Sequence, residues 1–456
     1  MWNATAAFSR FIIPEPCFWG QSYGSMFEAL VAVPFYWIRI PFRYALPIAS
    51  VLAGAFPIFF LAIKSYKKDK YDFANAFLLS YLIMGWRWDI LTSIPRSFIS
   101  GMPFAVYGSV KLADDKDNTG RGVYVASLLI SIGAIMTNTA AIIGIIGFLA
   151  FFFDNWKRIK RLIAAMAGVI SGGIIYILIK NFYKINADFS LHPDIPLVFS
   201  FDALKSNLHR IHAILSDFVF FDYGIVYLLL IFVWILYLLK KKRIRTIMML
   251  LLDLLLSVIL LSMWKTLDYH ANSVLFSQTR MFLYFPYSML LIVYIDSKKA
   301  ESVNLKIRQK YYVAMLVISI AIVIGKGWTL DAQIKDDSSA LNNPYGCSLH
   351  KVDEILINVD RTREYADNED ADVIVTWGDD RAFSYIFDAM EYGKYTVYNR
   401  VYDRRTWNYH YLEHAEPHRC VFVDFPDHEI RLDTVEIDDV SIVDYLYEKY
   451  GAVRSG

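Results

Sequence analysis

Runs of mainly apolar residues long enough to cross a bilayer recur through this sequence as far as residue 328. A backbone in hydrocarbon must satisfy its own hydrogen bonds, so such a run has one stable solution, a membrane-spanning helix of about 20 residues. Clear runs lie near 44–63, 162–180, 223–239, 246–264, 281–297 and 311–328. Shorter ones lie near 74–86, 97–112, 122–136 and 139–153, the last two parted by Thr137-Asn138-Thr139. Ten spans are expected. Hydrophobic residues are 56% of the 456 and charged residues 20%, against about 25% charged in soluble proteins. This balance excludes a disordered chain, a disulfide scaffold and a conventional soluble enzyme.

Lysine and arginine set the orientation, because basic connectors stay on the cytoplasmic side. The connectors 64–70, 111–121, 156–161, 240–245 and 298–310 hold 21 Lys/Arg, and the alternate ones, near 87–96, 137–138, 181–222 and 265–280, hold seven. The first set is therefore read as cytoplasmic. The chain beyond the last span then lies outside. Residues 329–456 carry 27 Asp/Glu against 13 Lys/Arg, whereas residues 1–328 carry 18 against 33. A net charge of +1 thus conceals a basic membrane body and an acidic, water-facing tail.

Three segments follow: an extracytoplasmic juxtamembrane stretch 1–43, a polytopic transmembrane domain 44–328 and a soluble extracytoplasmic domain 329–456. In the tail, helical stretches near 348–366, 381–391 and 441–450 alternate with strand patterns at 372–377, 395–399 and 420–425. The fold class is an all-α membrane domain followed by a small α/β domain. Cys347 and Cys420 share the outer side and either pair or remain thiols, the second being the simpler reading. With ten spans, the N-terminus is also outside, yet no basic n-region with an apolar stretch carries it across. Either the first span inserts N-terminus-out or an upstream helix is lacking, and the second is expected.

The sharpest local string runs from Phe18 to Glu28 and contains Gly20-Gln21, Tyr23-Gly24 and Glu28 ahead of an apolar stretch ending in Pro34. On physics alone it reads as an interfacial helix with Trp19 and Tyr23 in the aromatic belt. It also resembles the first outer loop of GT-C membrane glycosyltransferases, in the branch of protein O-mannosyltransferases and lipid A aminoarabinose transferases. Arg280-Met-Phe-Leu-Tyr-Phe-Pro286 opening a late span and the outer C-terminal domain fit the same likeness.

The resemblance implies sugar transfer from a polyprenyl-phosphate donor to a lipid, glycan or protein acceptor at the outer membrane face; the basic inner connectors fit a bacterial inner membrane, with a eukaryotic membrane as the alternative. No nucleic acid is implied. Such chemistry needs a carboxylate to activate the acceptor, and cationic side chains or a divalent metal for the leaving phosphate. The catalytic candidates are Asp89 and Glu28, and the phosphate-binding candidates are Arg280 and Arg96. Gln21, Tyr23, Asp268 and His270 are candidates to line the cavity. The family's main acid lies upstream of the GQ-x-Y-G segment, where this chain has no Asp-Glu pair. The acid is therefore lost, or it lies on a missing upstream helix. For Asp89, with Arg87 and Arg96 nearby, an interfacial ion pair is the competing reading.

No metal ligand set stands out. His209 and His212 lack a third ligand. His410-Tyr-Leu-Glu413-His414 matches H-x-x-E-H, but Pro417 disturbs the helix that zinc binding needs, so a surface cluster is the reading. The second functional reading is a catalytically incompetent GT-C-like scaffold. A transporter is disfavoured, since Asp253 and Lys326 are nearly the only ionisable residues within spans.

Overall fold

The computed structural model describes residues 2–13, 16–17, 24–114, 120–186, 198–219, 223–266, 278–298, 305–335, 352–376, 396–399, 418–424 and 431–437. Two short helices, α1 (Trp2–Ser9) and α2 (Phe27–Trp37), precede α3 (Phe42–Tyr66). Thr5 Oγ1 donates to the Ala29 carbonyl at 3.1 Å and joins α1 to α2. Next come α4 (Tyr71–Ile83), α5 (Trp86–Ser93), α6 (Met102–Asp114), α7 (Gly120–Met136), α8 (Ala140–Asn155) and α9 (Ile159–Ile185). The body closes with α10 (Phe201–His209), α11 (Ile211–Ser216), α12 (Gly224–Lys240), α13 (Ile244–Leu261), α14 (Tyr284–Ser297) and α15 (Leu305–Lys335).

A helix lies over each of the ten apolar runs. Four segments, Arg43–Tyr66, Ile159–Ile185, Ile244–Leu261 and Tyr312–Lys335, are long and apolar enough on their own to cross a membrane. Most of Ile159–Ile185 and nearly all of Tyr312–Lys335 is left uncovered by protein, an arrangement that water would not tolerate and lipid would. The protein is thus mostly helical, with several apolar helices consistent with a membrane protein. The connector after α9 carries α10 and α11, which part at Arg210. The Ser200 side chain caps α10 by accepting the Ala203 N–H at 3.2 Å, as an N-cap serine does.

Small residues decide how closely the helices approach. A Cβ placed on Gly101 would lie 2.0 Å from the Gly133 carbonyl oxygen, and one on Gly133 would lie 2.7 Å from that of Gly101. Only glycine at both positions allows this contact at the start of α6. The α13–α14 pair is held by polar groups in antiparallel register. Thr246 Oγ1 donates to Asp296 Oδ1 at 2.9 Å, Ser288 Oγ to Asp253 Oδ2 at 2.9 Å, and Ser257 Oγ and the Tyr284 hydroxyl share a bond of 2.7 Å.

Ion pairs collect all five basic connectors at one end of this body. Lys68 and Lys298 lie 2.7 Å and 3.0 Å from Asp114, which also accepts the Tyr294 hydroxyl at 2.7 Å. Arg243 pairs with Asp296 at 2.9 Å, and Arg245 pairs with Asp154. Burial pushes the Asp114 carboxyl up, but Lys298, Lys68 and Tyr294 together pull harder and hold it below its ordinary value. At the opposite end, Cys17 N–H donates to the Tyr183 hydroxyl at 3.0 Å, and Asn207 Nδ2 to Leu261 O at 2.8 Å and to Thr266 Oγ1 at 2.9 Å.

Beyond α15, which runs past the expected boundary at 328, α16 (Val352–Asn368) is followed by β1 (Val373–Thr376), β2 (Thr396–Asn399), β3 (His418–Asp424) and β4 (Arg431–Ile437). They form one sheet in the order β2-β1-β3-β4, with β1 parallel to β2 and β3, and β4 antiparallel to β3. Val359 and Ala366 of α16 pack on Ile374, Val421 and Val423. No strand was expected at 431–437. The adjacent polar pair Asp433-Thr434 breaks the alternation of that segment, leaving Leu432 on one face and Val435 and Ile437 on the other, and its only strand neighbour in the described sheet is β3. The stretches 381–391 and 441–450, Cys347 and the 410–414 histidines lie outside the described residues.

Candidate functional site

The end of the body opposite the basic connectors is organised around residues 94–101, between α5 and α6. Ser97 has a left-handed backbone (φ 64), which bends this connector back on itself. Its hydroxyl accepts the Ser25 N–H at 2.9 Å and donates to the Ser25 carbonyl. Thr137 Oγ1 donates to the Ser97 carbonyl at 3.0 Å and itself accepts the Gly101 N–H at 3.0 Å. These bonds bring three connectors, distant in sequence, onto one seam.

Glu28 stands in the first turn of α2, three residues beyond Ser25, and is completely shielded from solvent. Among the described residues, neither carboxyl oxygen makes a well-formed hydrogen bond, and the nearby Ser100 hydroxyl is placed no better. Burial pushes the Glu28 carboxyl up from the usual carboxylate range to about 7, and Ser100 and the backbone of Glu28 and Ser97 offset this only in part. An isolated carboxylate in such surroundings holds its proton to higher pH because ionisation forfeits solvation.

Arg280 approaches the same connector from the far end of the chain. It sits on the 3-10 turn Gln278–Phe282 that leads into α14, with its guanidinium 5.2 Å from the centroid of the Phe98 ring. Glu28, beside Ser97 and Ser100, and Arg280, beside Phe98, thus both approach residues 97–100. Arg96 is half-buried on that connector. Phe27 packs edge-on to Phe104 at 5.1 Å.

Asp89 lies on α5 and forms an ion pair with Lys326 of α15 at 2.5 Å. The arginines beside it in sequence are not its partners in this pair, since Arg87 turns to Asp217 at 3.2 Å. The Arg87–Asp217 arrangement requires glycine next door, because a Cβ on Gly85 would lie 2.5 Å from the Asp217 carbonyl oxygen. Burial raises the Asp89 carboxyl above its ordinary value, more than the Lys326 ammonium lowers it. Lys326 and Ser97 went unrecognised as parts of this region. A lysine inside an apolar run was the available signal for the first, whereas nothing in the sequence marks Ser97.

Of the residues singled out beforehand, Glu28, Arg96 and Arg280 come together around 94–101, and Asp89 stands on the helix before it. Gln21, Tyr23, Asp268 and His270 lie outside the described residues. No group of three or more His, Cys, Asp or Glu able to hold a metal occurs among the described residues. Comparisons with protein-family models, with curated proteins and with solved structures find no match to this chain.

Proposed function

We propose that this chain is a GT-C-like membrane glycosyltransferase that moves a sugar from a polyprenyl phosphate to a lipid, glycan or protein acceptor. In this reading the ten apolar helices span a bacterial inner membrane, the basic connectors are cytoplasmic, and the 94–101 seam and the acidic tail face outward. The observation that carries the reading is the convergence of a buried carboxyl, Glu28, and a cationic side chain, Arg280, on one connector at the end opposite the basic turns.

The chemistry divides between those two residues. Arg280, aided by Arg96, holds the donor phosphate, whose charge grows as the bond from the anomeric carbon to the phosphate oxygen breaks. Glu28, once the acceptor displaces the groups covering it, takes the proton from the acceptor hydroxyl or amine while that atom bonds to the anomeric carbon. Polyprenyl phosphate leaves with the bonding electrons. A carboxyl poised near 7 suits this task, since a base works best with a pKa close to the working pH. Asp89, neutralised by Lys326, serves to position α15 and the acceptor side.

The test is transfer from radiolabelled polyprenyl-phosphate sugars in membranes containing the chain. Arg280→Ala and Glu28→Gln are each expected to lower transfer by about a hundredfold or more. Unchanged transfer by Arg280→Ala would refute the phosphate assignment. No transfer by the folded wild-type chain with any donor would favour the non-catalytic scaffold.

A further inference from the structure

At the basic end of the body two hairpin turns stand side by side, 156–161 between α8 and α9 and 240–245 between α12 and α13. Arg245 locks them together, pairing with Asp154 and donating to the Ala150 carbonyl at 2.8 Å. The neighbouring acids are thereby engaged, Asp154 by Arg245 and Asp296 by Arg243. Lys157, Lys160, Lys240, Lys241 and Lys242 are all exposed, and none has an acidic partner among the described residues. Beside them Trp156 is 59% exposed and Ile159 68% exposed, with the Lys157 ammonium 4.8 Å from the indole centroid.

The backbone adds a second observation. The chain leaves α12 through a left-handed residue, Lys242 (φ 53), with Arg243 N–H bonded to Leu238 O at 2.9 Å and Lys242 N–H to Leu239 O at 3.0 Å. Glycine is the residue that this position favours. Lysine there weakens the turn and completes a row of three adjacent ammonium groups.

We infer that the paired turns bind the headgroups of anionic phospholipids in the adjoining leaflet. Lysine ammonium groups on flexible stems meet phosphate as point charges, an indole at the edge suits the level of the headgroups, and basic clusters between helices at a membrane surface recognise such lipids. Basic connectors in general only orient a chain. These differ in having their acids already engaged and an exposed indole, Trp156, on one of them. In the 64–70 turn, by contrast, Lys68 is paired with Asp114 and Lys64 lies over the Phe60 ring at 5.7 Å. The inference rests on the chain being membrane-embedded, and not on glycosyl transfer.

The experiment titrates the purified full chain, in neutral detergent, with fluorescent short-chain phosphatidylglycerol and separately with phosphatidylcholine. Preference for phosphatidylglycerol is expected. It should fall about fivefold per lysine removed, hence about a hundredfold in Lys157→Gln/Lys160→Gln/Lys241→Gln. Lys242→Gly should lose about fivefold while its thermal midpoint stays equal or rises, separating binding from folding. Equal affinity for the two lipids would overturn the inference. So would an equal loss in Lys64→Gln/Lys67→Gln/Lys70→Gln, or an unchanged preference in Lys242→Gly.

Discussion

A carboxyl sealed from water keeps its proton longer than a free one, so Glu28 ties stability to pH. Its folded pKa, about 7, lies above the ordinary value of 4.5. The native state therefore holds the proton more tightly, and its advantage is complete below the ordinary carboxylate range. That advantage is lost as pH rises through about 7. The penalty at pH 8 is about 3 kcal/mol, taking about 1.4 kcal/mol per pH unit. Glu28→Gln is expected to match the wild type in thermal midpoint at pH 4 and to exceed it by several degrees at pH 8. If the two midpoints keep a constant gap across that range, Glu28 does not titrate as described. In the proposed reaction the wild-type rate should rise with pH through an apparent pKa near 7.

Between elements, close approach and ion pairing do different work. The Gly101–Gly133 contact is backbone on backbone, with no flexible side chain to give way. Gly133→Val is expected to destabilise the detergent-solubilised protein by about 3 kcal/mol or more, as overpacked sites do, visible as a drop in its thermal midpoint. The Asp89–Lys326 pair joins α15 to α5, on a helix that also packs against α4 but leaves most of its surface uncovered. Because Asp89 is partly exposed, a double-mutant cycle of Asp89→Asn and Lys326→Met should give a coupling of only about 1 kcal/mol. Additive effects of the two substitutions would mean that the pair does not hold α15.

At the scale of the whole molecule, the Asp114 knot joins the ends of α3, α6 and α14. Its carboxyl sits below its ordinary value, so the stabilisation is present above the ordinary carboxylate range. It is lost as pH falls through the lowered folded value. Asp114→Asn leaves Lys68 and Lys298 facing each other and should cost about 2 kcal/mol near neutral pH. The variant should also lose part of the acid sensitivity of the wild type, measured by thermal unfolding between pH 3 and pH 7. The orientation has its own test. A cysteine replacing Lys241 should react with an impermeant maleimide only after the membrane is opened, and one replacing Asp360 should react in intact cells. The reverse pattern would invert the topology.

Much of this architecture was legible in the residues. Apolar runs locate helices because backbone hydrogen bonding and hydrocarbon burial act over each contiguous stretch of 15–30 residues. Thr137–Thr139 could be recognised as a break because small polar residues interrupt a run too long for one helix. The grouping of basic turns, now joined by Arg245–Asp154 and Lys68–Asp114–Lys298, follows from the same alternation along the chain. What the sequence could not decide was pairing across it. Asp89 had two arginines within seven residues, and its partner is Lys326, more than two hundred residues away. Glu28 and Arg280 were candidates on separate grounds, and their meeting around Ser97 and Phe98 depends on a left-handed bend and a three-connector seam. Hydrophobic run length and local charge are summed over neighbours in sequence, so the sequence by itself determined the helices and their alternation. Burial of a carboxyl and the choice of its partner depend on which distant surfaces pack together, so only the tertiary structure decided them.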